Sequence, residues 1–227
     1  MEFAMIPMDR ILLSSLMLFF VASAQAVDGQ KVFTQGGAQP GATACLACHG
    51  GDGLGLAAAG FPRLAGLSAG YLRKQLEDFR SGARSNPVMQ PLAKALSDDE
   101  IDAVSQTLAA MPAATPAPIN RSAIAEGVGA RLALRGAWER QVPECVICHG
   151  LGGVGVGDAF PPLAGQPAAY LAGQLNAWRD GTRRNDPNDL MGHIAKALSP
   201  EEITAVADYF AKVGSLSAKA DNQEPKP

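Results

Sequence analysis

The sequence predicts an all-α chain made of two tandem copies of one small helical domain. Three observations carry that reading. First, Phe61-Pro62-Arg63-Leu64-Ala65-Gly66 returns as Phe160-Pro161-Pro162-Leu163-Ala164-Gly165, the most visible block of a chain-long repeat. Second, apolar residues in both copies recur at helical spacing. Third, no stretch alternates apolar and polar residues for long enough to make a strand.

In chain order, the N-terminus comes first and stands apart from the fold. Ile11 to Ala22 is an apolar run behind Arg10, and Ala24-Gln25-Ala26 is a small-x-small cleavage site. Residues 1–26 are therefore expected to be a secretory signal peptide. The apolar run is too short to span a bilayer comfortably. Val27 follows the cut where a lipoprotein would have cysteine, so no lipid anchor is indicated. What remains, about 200 residues, has room for one large domain or two of roughly 90 to 100. Loss of Glu2, Asp9 and Arg10 with the leader moves the net charge from −3 to −2. That balance gives no reason to expect nucleic acid or an anionic membrane as partner.

The repeat then sets the boundaries. Tyr71-Leu72, Gln75-Leu76, Arg80, Gly82 and Arg84 recur as Tyr170-Leu171, Gln174-Leu175, Arg179, Gly181 and Arg183. Ala93-Lys94-Ala95-Leu96-Ser97 recurs as Ala195-Lys196-Ala197-Leu198-Ser199, and Phe79 is answered by Trp178. Between the copies, Met111 to Pro118 is rich in proline and alanine, stiff and not expected to be helical. The expected plan is one domain over 27–114, a linker over 115–118, a second domain over 119–214 and a polar, disordered tail over 215–227.

Within each domain the periodicity gives helices joined by glycine-rich loops. Tyr71, Leu72, Leu76 and Phe79 form one stripe over residues 70–80. Ile101, Val104 and Leu108 do the same, as do Ile203, Val206 and Phe210. Ser97 with Glu100, and Ser199 with Glu202, have the spacing of capping boxes opening those last helices. Pro200 falls at the first helical position, where its missing N–H costs nothing. Domains of this size bury too little side-chain area to be robust alone.

The cysteines say what completes them. Cys45-Leu46-Ala47-Cys48-His49 and Cys145-Val146-Ile147-Cys148-His149 hold all four cysteines and two of the three histidines. C-x-x-C-H attaches c-type haem: two thiols add across the vinyl groups, and the adjacent histidine supplies the proximal nitrogen to iron. Two covalent haem c groups are expected, on Cys45 and Cys48 and on Cys145 and Cys148, with His49 and His149 as proximal ligands. Two disulfides are the competing reading for an exported chain, but they have no need of a histidine after each pair. A zinc module fails on spacing, because zinc ribbons bring their two pairs within roughly 15 to 20 residues.

Met89 and Met191 are the expected sixth ligands. Each stands four residues before an Ala-Lys-Ala-Leu-Ser block, in an expected loop rich in Asn and Pro and not on an apolar helical face, where a core methionine would be out of place. Met111 matches Val213 and reads as core filling. His193 has no counterpart, since Pro91 takes its place, and reads as a surface residue. Pro62 and Pro161 follow their histidines by 13 and 12 residues, where each offers either a carbonyl to the imidazole or a turn alone. The repeated Arg80, Arg84, Arg179 and Arg183 suit haem propionates or a solvated helix face equally. Histidine–methionine ligation fills both axial positions, which favours electron transfer over chemistry on a substrate.

With these residues in view, the chain resembles a dihaem cytochrome c of the cytochrome c4 type, two class I cytochrome c domains in tandem. The resemblance rests on the eight cysteine, histidine and methionine positions and on the Phe-Pro-x-Leu-Ala-Gly, Tyr-Leu-x-x-Gln-Leu and Leu-Ser-x-x-Glu-Ile blocks. It implies two domains face to face about a pseudo-twofold, haems close together and propionates near the interface. It also implies a periplasmic protein, free or loosely membrane-associated, exchanging electrons with a dehydrogenase, a quinol-oxidising complex or a terminal oxidase. Two features depart from an even repeat. The segment from Arg183 to Met191 is three residues longer than that from Arg84 to Met89, and the stretch around Ala123 to Leu134 differs from its counterpart.

The expected function is therefore a non-enzymatic electron carrier. The alternatives are the cytochrome subunit of a dehydrogenase complex, or a haem enzyme such as a thiosulfate dehydrogenase. A catalytic haem would want an open or unusual sixth ligand, and no spare cysteine exists.

Overall fold

The computed structural model describes residues 26–112, 125–186 and 188–220, with side chains as far as 213. Residues 1–25 of the expected signal peptide, the expected linker over 115–118 and residues 221–227 lie outside the described residues. The first half contains α1 (Gly29–Gln35), α2 (Leu46–His49), α3 (Ala69–Ser81), α4 (Met89–Ala95) and α5 (Asp98–Ala110). The second contains α6 (Gly127–Arg135), α7 (Cys145–His149), α8 (Ala168–Arg179), α9 (Leu190–Ala197) and α10 (Pro200–Ala220). Isolated bridges are the only extended pairings among the described residues. The helix α10 runs six residues past the boundary expected at 214, so 215–220 is helical and not a disordered tail.

The first and last helices of each half cross through glycine. A Cβ on Gly29 would lie 2.1 Å from the Ala103 carbonyl oxygen, and one on Gly129 would lie 2.1 Å from that of Ala205. Any side chain there would push the pair apart. The dissimilar segment before the second motif thus crosses its partner just as α1 does. Both expected capping boxes form. Ser97 Oγ accepts from Glu100 N and Glu100 returns the bond to Ser97 N, while Ser199 and Glu202 do the same at 2.9 and 3.2 Å. Glu100 also reaches the Ala38 amide at 2.6 Å, tying the loop before α2 to α5. Each half has its own apolar cluster, one around Phe33, Leu72, Val104 and Leu108, the other around Leu132, Leu171, Ile203 and Phe210.

The halves meet about a pseudo-twofold at the segments after α3 and α8. Ser85 N donates to Thr182 O at 2.8 Å, and its repeat mate Arg184 N donates to Ala83 O at 2.7 Å. Arg84 and Arg183 pair as an antiparallel bridge between them. Their side chains cross: Arg84 donates to Gln75 of its own half (2.9 Å) and Gln174 of the other (2.5 Å). Arg183 donates to Gln174 (3.0 Å) and Gln75 (3.0 Å). Gln75 Oε1 also accepts from Asn185 at 2.9 Å. Replacing Gln75 by Leu would strip an acceptor from two buried guanidinium groups at once. We expect a loss of about 3 to 5 kcal/mol in denaturant unfolding of the holoprotein. A loss below about 1 kcal/mol would show that this oxygen is not what satisfies them.

Candidate haem sites

Each half surrounds one cavity, of about 470 Å³ in the first and 540 Å³ in the second. Cys45, Cys48, His49 and Met89 all line the first, and Cys145, Cys148, His149 and Met191 all line the second. Residues up to 46 positions apart in sequence thus face one space. The helical stripes read from the sequence form the walls, with Leu72, Leu76, Val104 and Leu108 in the first and Leu171, Leu175, Val206 and Phe210 in the second.

The motif histidines sit at the last residues of the short helices α2 and α7 and are buried, at 6% and 7% exposure. His49 Nδ1 donates to the Pro62 carbonyl at 2.9 Å, and His149 Nδ1 to that of Pro161 at 2.8 Å. A carbonyl only accepts, so the proton belongs on Nδ1 and the lone pair on Nε2. Burial lowers the pKa of both imidazoles, outweighing the proline carbonyls, which act the other way. Both rings are therefore neutral near pH 7, the form that binds a metal. The loops carrying the prolines are pinned identically: Gly55 N donates to His49 O (2.8 Å) and Gly155 N to His149 O (2.7 Å). Of the two readings of these prolines, the carbonyl acceptor is the one found.

The methionines are not in open loops, as the local composition led us to expect. Met89 is the first residue of α4 and Met191 the second of α9. Side-chain acceptors upstream hold these helix starts. Asn86 Oδ1 accepts from Met89 N at 2.9 Å, and Asp186 Oδ2 accepts from Met191 N at 2.6 Å. Polar Asn and Asp residues appear there because they cap, which explains the loop-like composition. Met111 packs in the first core, with its sulfur against Gly53. His193 is exposed.

The four cysteines form no disulfide with one another. Burial pushes Cys45 up to about 11 and Cys145 up to about 12. The two cysteine pairs line different cavities.

The arginines divide. Arg80 is tied locally, to Asp98 at 2.5 Å and the Leu96 carbonyl at 2.8 Å. Arg84 and Arg183 are 6% and 5% exposed, and stack on Phe79 and Trp178 at 4.5 and 3.9 Å. Every hydrogen-bond partner they have is neutral. Arg63 is 8% exposed and donates to the carbonyls of Ala65 and, across the interface, Ala164, both at 3.2 Å. Buried guanidinium groups without a carboxylate are costly. Burial, then the Arg84 charge, pulls Arg183 below the ordinary arginine range. A planar, largely apolar ligand carrying carboxylates at one edge fits this arrangement of walls and charge.

Sequence reasoning missed the polar cluster shared by the cavities. Leu67, Tyr71, Gln75, Tyr170, Gln174 and Arg183 line both. The available signal was a glutamine kept on an otherwise apolar stripe in both copies. It also missed Gln166, whose amide clasps the Arg63 backbone at 3.0 and 2.9 Å. Leu67 occupies the matching place in the first half, so repetition gave no hint of it.

The family model for cytochrome c matches twice, over residues 26–111 and 139–214. The chain belongs to the cytochrome c family. It is a dihaem electron-transfer cytochrome c with two covalent haem c groups. Among curated proteins, it is 71% identical over 197 residues to a thiosulfate dehydrogenase electron acceptor of Stutzerimonas stutzeri, covering 87% of this chain and 91% of that one. It is 41% identical over 174 residues to a cytochrome c4 of Pseudomonas aeruginosa, covering 76% and 85%. Among solved structures, cytochrome c4 of Pseudomonas stutzeri aligns with a TM-score of 0.66 at 34% identity, over 74% of this chain and 93% of that one. A thiosulfate dehydrogenase of Marichromatium purpuratum aligns with a TM-score of 0.73 at 48% identity, over 81% of this chain. The dihaem cytochrome spans only 39% of that enzyme's length.

Proposed function

We propose that this dihaem cytochrome is an exported, periplasmic electron carrier that takes electrons from a thiosulfate dehydrogenase and passes them to a terminal oxidase or similar acceptor. In this reading Cys45 and Cys48, and Cys145 and Cys148, bind the haems through thioethers. His49 with Met89, and His149 with Met191, hold the two irons. The haems supply one-electron chemistry when bound, and the chain's residues set where and how easily it happens. The proline carbonyls orient the imidazoles. The thioethers close the sixth positions and favour the reduced state. The observation that carries the reading is convergence: all four expected residues of each half line one cavity, and the two cavities share walls.

The donor rests on similarity to proteins named as thiosulfate dehydrogenase electron acceptors, at 71% and 44% identity. Export rests on the leader-like N-terminus and the requirement for haem attachment outside the cytoplasm. Among the described residues no helix is long and apolar enough to cross a membrane. Docking of partners is expected to be small and transient, as for redox encounters generally.

Stopped-flow mixing of the oxidised holoprotein with a purified thiosulfate dehydrogenase and thiosulfate tests this. Both haems are expected to become reduced, and thiosulfate without the enzyme is expected to leave them oxidised. Reduction by thiosulfate alone at the same rate would mean that the chain oxidises it unaided, and the carrier reading would fall. No reduction with the enzyme present would remove this donor.

A further inference from the structure

One chain of hydrogen bonds crosses the interface, and from it we infer that Gln166 of the second half is a positioning residue for His49 of the first. The inference rests on the reading of His49 as a ligand to the first iron. The Pro62 carbonyl that accepts from His49 Nδ1 at 2.9 Å belongs to the same peptide group as the Arg63 N–H. That N–H donates to Gln166 Oε1 at 3.0 Å. The chain thus runs from the imidazole, through one peptide, to a side chain of the opposite half. His49, Arg63 and Gln166 are all buried, so water does not compete for these bonds.

Gln166 is itself held in place. Its Nε2 donates to the Arg63 carbonyl at 2.9 Å, so one amide grips the Arg63 main chain at both its N–H and its C=O. Its own backbone N–H donates to the Leu163 carbonyl at 3.2 Å. Gln166 lines the second cavity, whereas Pro62 and Arg63 line the first. The contact therefore joins the wall of one cavity to the histidine of the other. The repeat makes no return contact. Leu67 stands where the first half would need a glutamine, and Pro162 stands where the second half would need an N–H. His149 bonds to the Pro161 carbonyl at 2.8 Å, but the Pro161–Pro162 peptide has no hydrogen with which to extend that bond.

A trans peptide carries its C=O and N–H on opposite edges and shares electrons between them. Donation by the N–H draws charge onto the carbonyl oxygen, which becomes the stronger acceptor, by about 10–30% per bond in a buried chain. A stronger acceptor on Nδ1–H fixes the plane of the imidazole and makes Nε2 a better donor to a metal. Gln166 supplies that strengthening to His49 from outside its domain. Separation of the halves breaks the Gln166 bond and loosens His49, and leaves the matching bond of His149 untouched.

Nitrogen-15 NMR of the reduced, diamagnetic two-haem holoprotein tests this with Gln166→Leu and Gln166→Glu. Leucine copies the matching Leu67, and glutamate keeps an acceptor oxygen. Haem stoichiometry and the red thioether absorption band of the oxidised form come first; their absence from the parent protein would defeat the haem reading on which the inference stands. The two Nδ1–H signals are told apart by contacts to the Phe61 and Phe160 rings, whose centroids lie 6.2 and 6.1 Å from those of His49 and His149. In Gln166→Leu the His49 signal should move upfield and its hydrogen exchange should quicken about three- to tenfold, the loss of one ordinary hydrogen bond. The His149 signal should do neither. In Gln166→Glu the His49 signal should hold its place or move downfield, with exchange as slow as in the parent. An unchanged His49 signal in Gln166→Leu, equal changes at both histidines, or an upfield shift in Gln166→Glu would overturn the inference. If Gln166→Leu opens the interface, seen as lost protection of the Ser85 and Arg184 amides that bridge it, Gln166→Glu decides alone.

Discussion

Replacing Cys45 and Cys48 together by alanine is expected to abolish the helices of the first half, not just its colour. The residues that the apolar periodicity assigns to a core, Leu72, Leu76, Val104 and Leu108 among them, pack in one cluster but also line the cavity. At about 24 cal/mol per Å³, leaving 470 Å³ unfilled costs on the order of 10 kcal/mol. That rivals the whole stability of a domain. Three buried arginines facing the empty space, without a carboxylate, would add to the penalty. The second half keeps its own cavity and its own cluster around Leu132, Ile203 and Phe210. We therefore expect one haem per chain and about half of the helical circular dichroism. A variant that retains the full helical signal with a single haem would show that the first half packs without the porphyrin.

Removing either methionine should leave one iron open. Met89→Ala and Met191→Ala are each expected to abolish about half of the red absorption band that marks oxidised iron bound to thioether sulfur, and to lower one of the two potentials. The exposed position should then take up carbon monoxide when reduced, which the parent should not. Met111→Ala is the control. Its sulfur packs against Gly53 in the first core, so the band should stay whole. A full band in either of the first two variants would remove that methionine from the iron. His193, exposed one turn into α9, would not readily replace Met191 without unwinding that helix.

Much of this site was legible because its chemistry is local. A cysteine pair and the histidine after it must lie within one turn of chain, so five consecutive residues announce them. The capping boxes at Ser97 and Ser199 were legible for the same reason, and both form. The methionines were singled out by repetition, and each lines its cavity, but the loop assigned to them is the start of a helix. Asn86 and Asp186 look like loop residues because their side chains satisfy the exposed amides at the starts of α4 and α9. The helical end of 215–220 was hidden by its polar, small-residue composition, which has no apolar stripe to declare a helix.

The sequence by itself determined the class, the tandem plan, the two haems and the residues expected to grip them, because each follows from spacing along one chain or from comparison of the chain with itself. Only the tertiary structure decided what Gln75, Gln174, Arg84 and Arg183 do, and that Arg63 and Gln166 reach across to the opposite half. Such contacts join residues about 90 to 110 positions apart. No local pattern encodes that distance. What a buried guanidinium finds as its partner is fixed only when two surfaces meet and water leaves.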